Sequence, residues 1–144
     1  MRFVVQRVSE ARVEVDGNTV AKIGRGLVVL VGIHREDSVA DAEKWVEKIL
    51  KLRIFPDEAK DINCSIRDID GEILWVSQFT LYGDSRGQNR PGFTEAASPE
   101  TARQIYDHFI QFASERWPKS QSGQFAAHMH LHLVNDGPVT LILE

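Results

Sequence analysis

The sequence predicts an α+β fold: a curved mixed β-sheet or partial barrel with two main helices packed outside it. Three observations predict it. The first third alternates apolar and polar residues with the period of strands. Two later stretches switch to helical spacing, each opened by a capping residue. Strand-like segments lie between the helices and after them, so the order mixes the two types instead of repeating a strand–helix unit.

In chain order, Phe3–Val8 is a short β-branched run, and Ala11–Val15 alternates small or apolar with charged residues, the mark of a half-buried strand. Asp16-Gly17-Asn18 supplies turn chemistry, and Thr19–Ile23 returns. Leu27–Ile33 is nearly all apolar and suits a central strand covered on both faces. Asp37 or Ser38 caps a helix over about residues 38–53, with Ala42, Trp45, Val46, Ile49, Leu50 and Leu52 along one stripe. Pro56 ends that region. Residues 57–71 read as an exposed polar connection with one short strand. Glu72–Leu81 is the next strand, and Tyr82–Phe93 a loop rich in glycine and arginine. Ser98-Pro99-Glu100 opens the second helix with a cap, a proline at its first position and an acidic first turn. Pro118 closes it. Ala126–Val134 and Val139–Leu143 are strand-like, joined by Asn135-Asp136-Gly137-Pro138.

At 144 residues the chain is one domain, residues 1–144, with 42% hydrophobic and 26% charged residues. Its net charge is −4, spread evenly: 12 basic against 14 acidic side chains in residues 1–72, and 5 against 7 in residues 73–144. That balance argues against a protein that tracks phosphates along DNA or RNA, so no DNA partner is expected. The single Cys64 fits a reducing compartment, and the sequence shows neither a signal-peptide pattern nor an apolar run of membrane-spanning length. A cytoplasmic protein with no membrane partner is the expectation.

Four constellations can carry chemistry. Ser77-Gln78-Phe79-Thr80 puts two hydroxyls and an amide at the end of an apolar strand, where alternation pairs Ser77 with Phe79 and Gln78 with Thr80. Terminal backbone N–H groups there can bind an oxyanion, or the polar residues can simply bond a neighbouring loop. Asn135–Pro138 reads most plainly as a turn, although a Gly-Pro bond is held cis at a cost of only about 0.5–1 kcal/mol. His128, His130 and His132 share one strand face, with Met129, Leu131 and Leu133 on the other. Adjacent imidazoles on such a face can share a metal ion, while the plainer reading is a solvated stripe opposite the core. Arg86 and Arg90 form the densest local basic cluster. Phosphate-loop, dinucleotide, zincin and nucleophile-elbow patterns are missing from the sequence, and a pairing of Cys64 with a histidine has little local support.

Taken together, Gln6-Arg7-Val8, the run Ser77–Leu81, Arg86-Gly87 with Arg90-Pro91 and Phe93, and Gly123–Ala127 followed by Asn135–Thr140 resemble the D-aminoacyl-tRNA deacylase family, end to end. The resemblance implies hydrolysis of the ester joining a D-amino acid, or glycine mischarged on tRNA(Ala), to the tRNA 3′ end, without a cofactor or metal. It implies a homodimer with active sites at the subunit interface, and a cis Gly137-Pro138 bond whose segment enters the partner's pocket to reject L-residues. Arg7 would hold that segment. Ser77, Gln78, Phe79 and Thr80 would form the catalytic pocket, Met129 and Phe125 the adenosine site, and Arg86 and Arg90 the phosphate contacts. The histidines at 128, 130 and 132 and Gln124, where a basic residue is frequent, depart from common family variants. Two rival readings remain: a non-catalytic module that binds the tRNA end, and a metal-dependent hydrolase using the histidine stripe.

Overall fold

The computed structural model describes residues 1–144. Six strands, β1 (Arg2–Val15), β2 (Asn18–Ile23), β3 (Gly26–Gly32), β4 (Glu72–Ser77), β5 (Ser120–Ser122) and β6 (His130–Leu143), form one sheet in the order β2-β1-β3-β4-β5, with β6 along the other edge of β1. The β1–β2, β1–β3 and β1–β6 pairs are antiparallel, whereas β3–β4 and β4–β5 are parallel. The sheet curls into a nearly closed barrel. At its seam β2 and β5 approach, and the Lys22 N–H donates to the Gln121 side-chain carbonyl at 2.9 Å. Helices α1 (Val39–Leu50) and α2 (Pro99–Arg116) pack outside, as the sequence predicts; neither is long and apolar enough to cross a membrane.

Both caps form as read. The Ser38 hydroxyl accepts from the Asp41 N–H while Asp41 reaches back to the Ser38 backbone, and Ser98 caps α2 with Pro99 at its first position. The helices bury Ala42, Val46, Ile49 and Leu50 from α1 and Ala102, Ile105, Tyr106, Phe109 and Ala113 from α2. The sheet has apolar packing on both faces. Leu27, Val29, Val31, Ile73 and Trp75 point to the helices, and Val28, Leu74 and Val76 point into the barrel. Gly26 is required where β3 starts beside β4, since a Cβ there would fall 1.7 Å from the Glu72 carbonyl oxygen.

Four expectations are corrected. The two strands expected at Phe3–Val8 and Ala11–Val15 are one strand. Phe3 and Val5 face the helices, whereas Val8, Ala11 and Val13 face the barrel interior. Alternation cannot put residues 8 and 11 on one side without an extra residue, and the register with β6 does shift around Val8. Asn135–Pro138 is likewise no turn between strands but part of β6. Gln6 pairs with Thr140 and Val8 with Asn135, so residues 136–139 bulge opposite the single residue Arg7. The strand expected over Glu72–Leu81 ends at Ser77, and Phe79–Tyr82 is a 3-10 turn. Residues 57–71 are not wholly an exposed connection: Phe55 bridges Cys64, and Ile66 is fully buried.

Candidate active site

A cavity of about 730 Å³ opens where the ends of β3 and β4 meet the start of α2 and the segment leading into β6. Most of its wall is apolar, with Ile33, Val76, Ala97, Phe125 and Met129 among the lining side chains. Ser77, Gln78 and Phe79 line it as well, so the structure brings three of the four pocket residues to the same place as the two expected at the adenosine site.

The 3-10 turn fixes this corner. The Gln78 N–H donates to the Val31 carbonyl at 2.8 Å, the last rung between β3 and β4. The first bond inside the turn runs from the Leu81 N–H to the Gln78 carbonyl at 3.2 Å. The Phe79 and Thr80 N–H groups precede it, so the turn supplies neither with an acceptor. Alternation therefore does not describe Ser77–Thr80. The Gln78 amide folds back to donate to the Thr80 hydroxyl, and no imidazole, amine or carboxylate hydrogen-bonds that hydroxyl. Phe79 is exposed, its ring edge-on to Phe93 at 5.1 Å between centroids.

Residues outside the predicted set hold the turn from behind. Arg2 donates from Nη1 to the Leu81 carbonyl at 2.8 Å, and its guanidinium lies 4.8 Å over the Tyr82 ring. The far side of that guanidinium meets Glu144 at 2.8 Å. Tyr82 is buried against His34, and burial, helped by the Asp37 charge, pushes its phenol up to about 12, so it stays a neutral wedge. Asp37 in turn binds the Met1 ammonium at 2.7 Å and the His34 N–H at 2.6 Å. Nothing in the local sequence marks Arg2 for this role, because its partners lie about 80 and 140 residues away.

Gly137 and Pro138 do not line the cavity of their own chain. They stand exposed on the β6 bulge, joined by a cis bond as the resemblance implies. Arg7 supports them. Its buried guanidinium donates to the Asp136 carbonyl at 2.9 Å and, on the other side, to the Ile54 carbonyl at 2.7 Å and the Asp61 carbonyl at 3.3 Å. Gly137 has φ +132°, and a Cβ would meet the Val139 nitrogen at 2.9 Å and Arg7 Nη2 at 3.1 Å.

The loop cations divide. Arg86 is clamped by both carboxylate oxygens of Asp84, at 2.9 and 2.8 Å, and that guanidinium holds the Asp84 carboxyl down at about 2. Its charge is already matched, which weakens the expected phosphate contact. Arg90 is exposed on the same loop and makes no ion pair. The strand expected over Ala126–Val134 begins only at His130, so His128 precedes it, but exposure alternates as read, with His128, His130 and His132 exposed and Met129, Leu131 and Leu133 half-buried. The His128 and His130 rings meet edge to face at 5.2 Å, but His132 turns to Glu14 at 3.2 Å, and the three do not converge on one point. Cys64 is bonded through its backbone to Phe55, away from the cavity.

The family model described as D-Tyr-tRNA(Tyr) deacylase matches residues 4–144. A D-aminoacyl-tRNA deacylase of Thermotoga petrophila is 53% identical over 144 residues, covering 100% of this chain and 97% of the relative. One of Paracidovorax citrulli is 54% identical over 143 residues, covering 99% and 92%. Among solved structures, one titled c-Myc DNA Unwinding Element Binding Protein superposes with a TM-score of 0.94 at 42% identity, covering 100% of this chain and 98% of the other. A second, titled as a probable eukaryotic D-amino acid tRNA deacylase, has a TM-score of 0.88 at 18% identity over 99% and 97%, and shares the fold. With a match along nearly its whole length, the chain belongs to the D-Tyr-tRNA(Tyr) deacylase family.

Proposed function

We propose that this member of the deacylase family hydrolyses the ester joining a D-amino acid to the terminal adenosine of tRNA, releasing the free amino acid, and acts likewise on glycine mischarged on tRNA(Ala). The observation that carries the reading is the pair of N–H groups at Phe79, on the wall of an apolar cavity, and at the adjacent Thr80, both left without acceptors by the turn. Two such donors stabilise the oxyanion that forms when the ester carbonyl is attacked. Phe125 and Met129 offer the apolar surface for the adenine, while Ser77 and Gln78 shape the pocket.

The attacking group in this reading is a water, assisted by the 2′-hydroxyl of the tRNA. Thr80 lacks a base that could activate it, because its hydroxyl meets only the Gln78 amide. Thr80→Ala is therefore expected to retain more than about a tenth of the wild-type rate, since one proton-transfer group contributes roughly 10²–10⁴-fold when it is essential. Loss of all turnover in a folded variant that still binds tRNA would assign the chemistry to Thr80.

Chirality is read by main chain. Gly137 and Pro138 project from the surface while the cavity lacks them, so a second copy of the chain completes each site in a homodimer. Their carbonyls would fix the α-amino group and crowd the side of Cα where an L-residue carries its Cβ; a D-residue points away, and glycine has nothing to clash. Rejection by an unavoidable clash discriminates more strongly than one added apolar contact and is indifferent to side-chain identity. An acidic chain in the cytoplasm that reads one nucleotide end has no need of a basic face for duplex DNA.

Incubating the protein with D-tyrosyl-tRNA and L-tyrosyl-tRNA, with and without EDTA, tests the reading. Rapid cleavage of the D-ester alone, insensitive to EDTA, is expected. No cleavage with retained binding would leave a tRNA-end-binding module, and EDTA-sensitive cleavage would return the reaction to a metal site.

A further inference from the structure

We propose that Arg103 binds the phosphodiester that precedes the terminal adenosine, serving as the anion-binding residue beside the cavity. The inference rests on the deacylase reading above and extends it to a residue outside the predicted set.

Arg103 lies on the exposed side of α2, one turn beyond the cavity-lining Ser98 and Pro99. Its guanidinium stacks on the ring of Phe125, 4.7 Å from the centroid, and Phe125 is part of the cavity wall. The same ring packs on Tyr106 at 5.5 Å between centroids, tilted by 40°. The charge is thereby held against a ring that lines the cavity, on a helix instead of a loop. A guanidinium held over a ring keeps N–H donors available for a phosphate, for which the planar fork is well shaped.

The charge is also unspent. Arg103 makes no ion pair or side-chain hydrogen bond, although Glu100 and Asp107 lie one turn away on either side along α2. Arg86, by contrast, is bound at two points by Asp84. Arg90 sits on a loop with no ring to hold it.

The test compares wild type with Arg103→Gln and Arg103→Lys on two substrates: D-tyrosyl-tRNA, and 3′-O-D-tyrosyl-adenosine, which has the ester and base but no phosphate. For Arg103→Gln the ratio of kcat/KM on the tRNA to kcat/KM on the adenosine ester is expected to fall about five- to tenfold, mostly through KM on the tRNA. The slope of log kcat/KM against log salt should become shallower by about 0.7, the value for one contact to a single strand. Arg103→Lys should restore most of the salt slope. An equal loss on both substrates, or an unaltered salt slope, would overturn the proposal and leave Arg103 a support for Phe125. If wild type cleaves neither substrate, the deacylase reading fails. The anisotropy of a labelled single-stranded RNA ending in adenosine then decides on Arg103 alone, with equal affinity of wild type and Arg103→Gln counting against it.

Discussion

Replacing Arg7 is expected to reduce deacylation about a hundredfold and to lower stability as well. Its guanidinium ties the β6 bulge to the segment after α1: one side of the fork serves the Asp136 carbonyl, the other the Ile54 and Asp61 carbonyls. Arg7→Met leaves these acceptors without a donor, a loss of about 2–4 kcal/mol for charge-assisted bonds around a buried site. For a domain of this size that lowers Tm by about 5–15 °C, measurable by calorimetry. Arg7→Lys keeps the charge, but an ammonium is a point donor and cannot span both sides. It should therefore recover part of the Tm and little of the rate. Displacing reacting groups by about 1 Å is enough for a hundredfold loss. A lysine variant with the wild-type rate on D-tyrosyl-tRNA would show that the bulge does not need its support.

Gly137→Ala is expected to have the second large effect, and to act on selectivity. At φ +132° an L-residue is strained by about 1–3 kcal/mol, and the new methyl would press on the Val139 nitrogen and on Arg7 Nη2. The bulge must shift, and with it the carbonyls assigned to chiral rejection. Turnover of the D-ester should drop about 10- to 100-fold, with the D-to-L ratio narrowing, while circular dichroism stays native. Because Gly137 and Pro138 themselves are exposed, the stability loss should remain smaller than for Arg7→Met. Unaltered discrimination between the two esters would remove Gly137 from the chirality reading.

The helices were legible because their signals are local: Ser38 with Asp41, and Ser98 with Pro99, announce both starts, and apolar spacing marks the buried faces. β3 and β4 were legible as apolar runs. What the sequence could not display is set by partners far along the chain. The face switch in β1 and the bulge in β6 exist only relative to one another, so each strand alone looks like two. β5 was missed because Ser-Gln-Ser carries no apolar pattern and forms through its backbone ladder with β4. Phe79, Thr80 and Leu81 are good strand residues, and the 3-10 turn they adopt with Tyr82 is bonded by Arg2, from the other end of the sequence. At the site, the grouping of Ser77–Phe79 with Phe125 and Met129 was readable through the family motifs. Arg2 and Arg103 were not, since their significance lies in what they touch across the fold.

A ribosome delivers β1 first among these strands and β6 last, yet β1 has neighbours along both edges only when β6 lies against it, Phe3 beside Leu143 and Glu14 beside His130. Until then the longest strand of the nascent chain keeps an open hydrogen-bonding edge, the kind that invites pairing with other chains. Closure across such separations is slow, on the order of milliseconds to seconds, because the entropy of a long loop is lost before the contacts form. The same closing strand carries the Gly137–Pro138 bulge. Arg7 therefore receives its Asp136 partner only once β6 has closed on β1, so the surface proposed to read chirality forms together with that strand pairing.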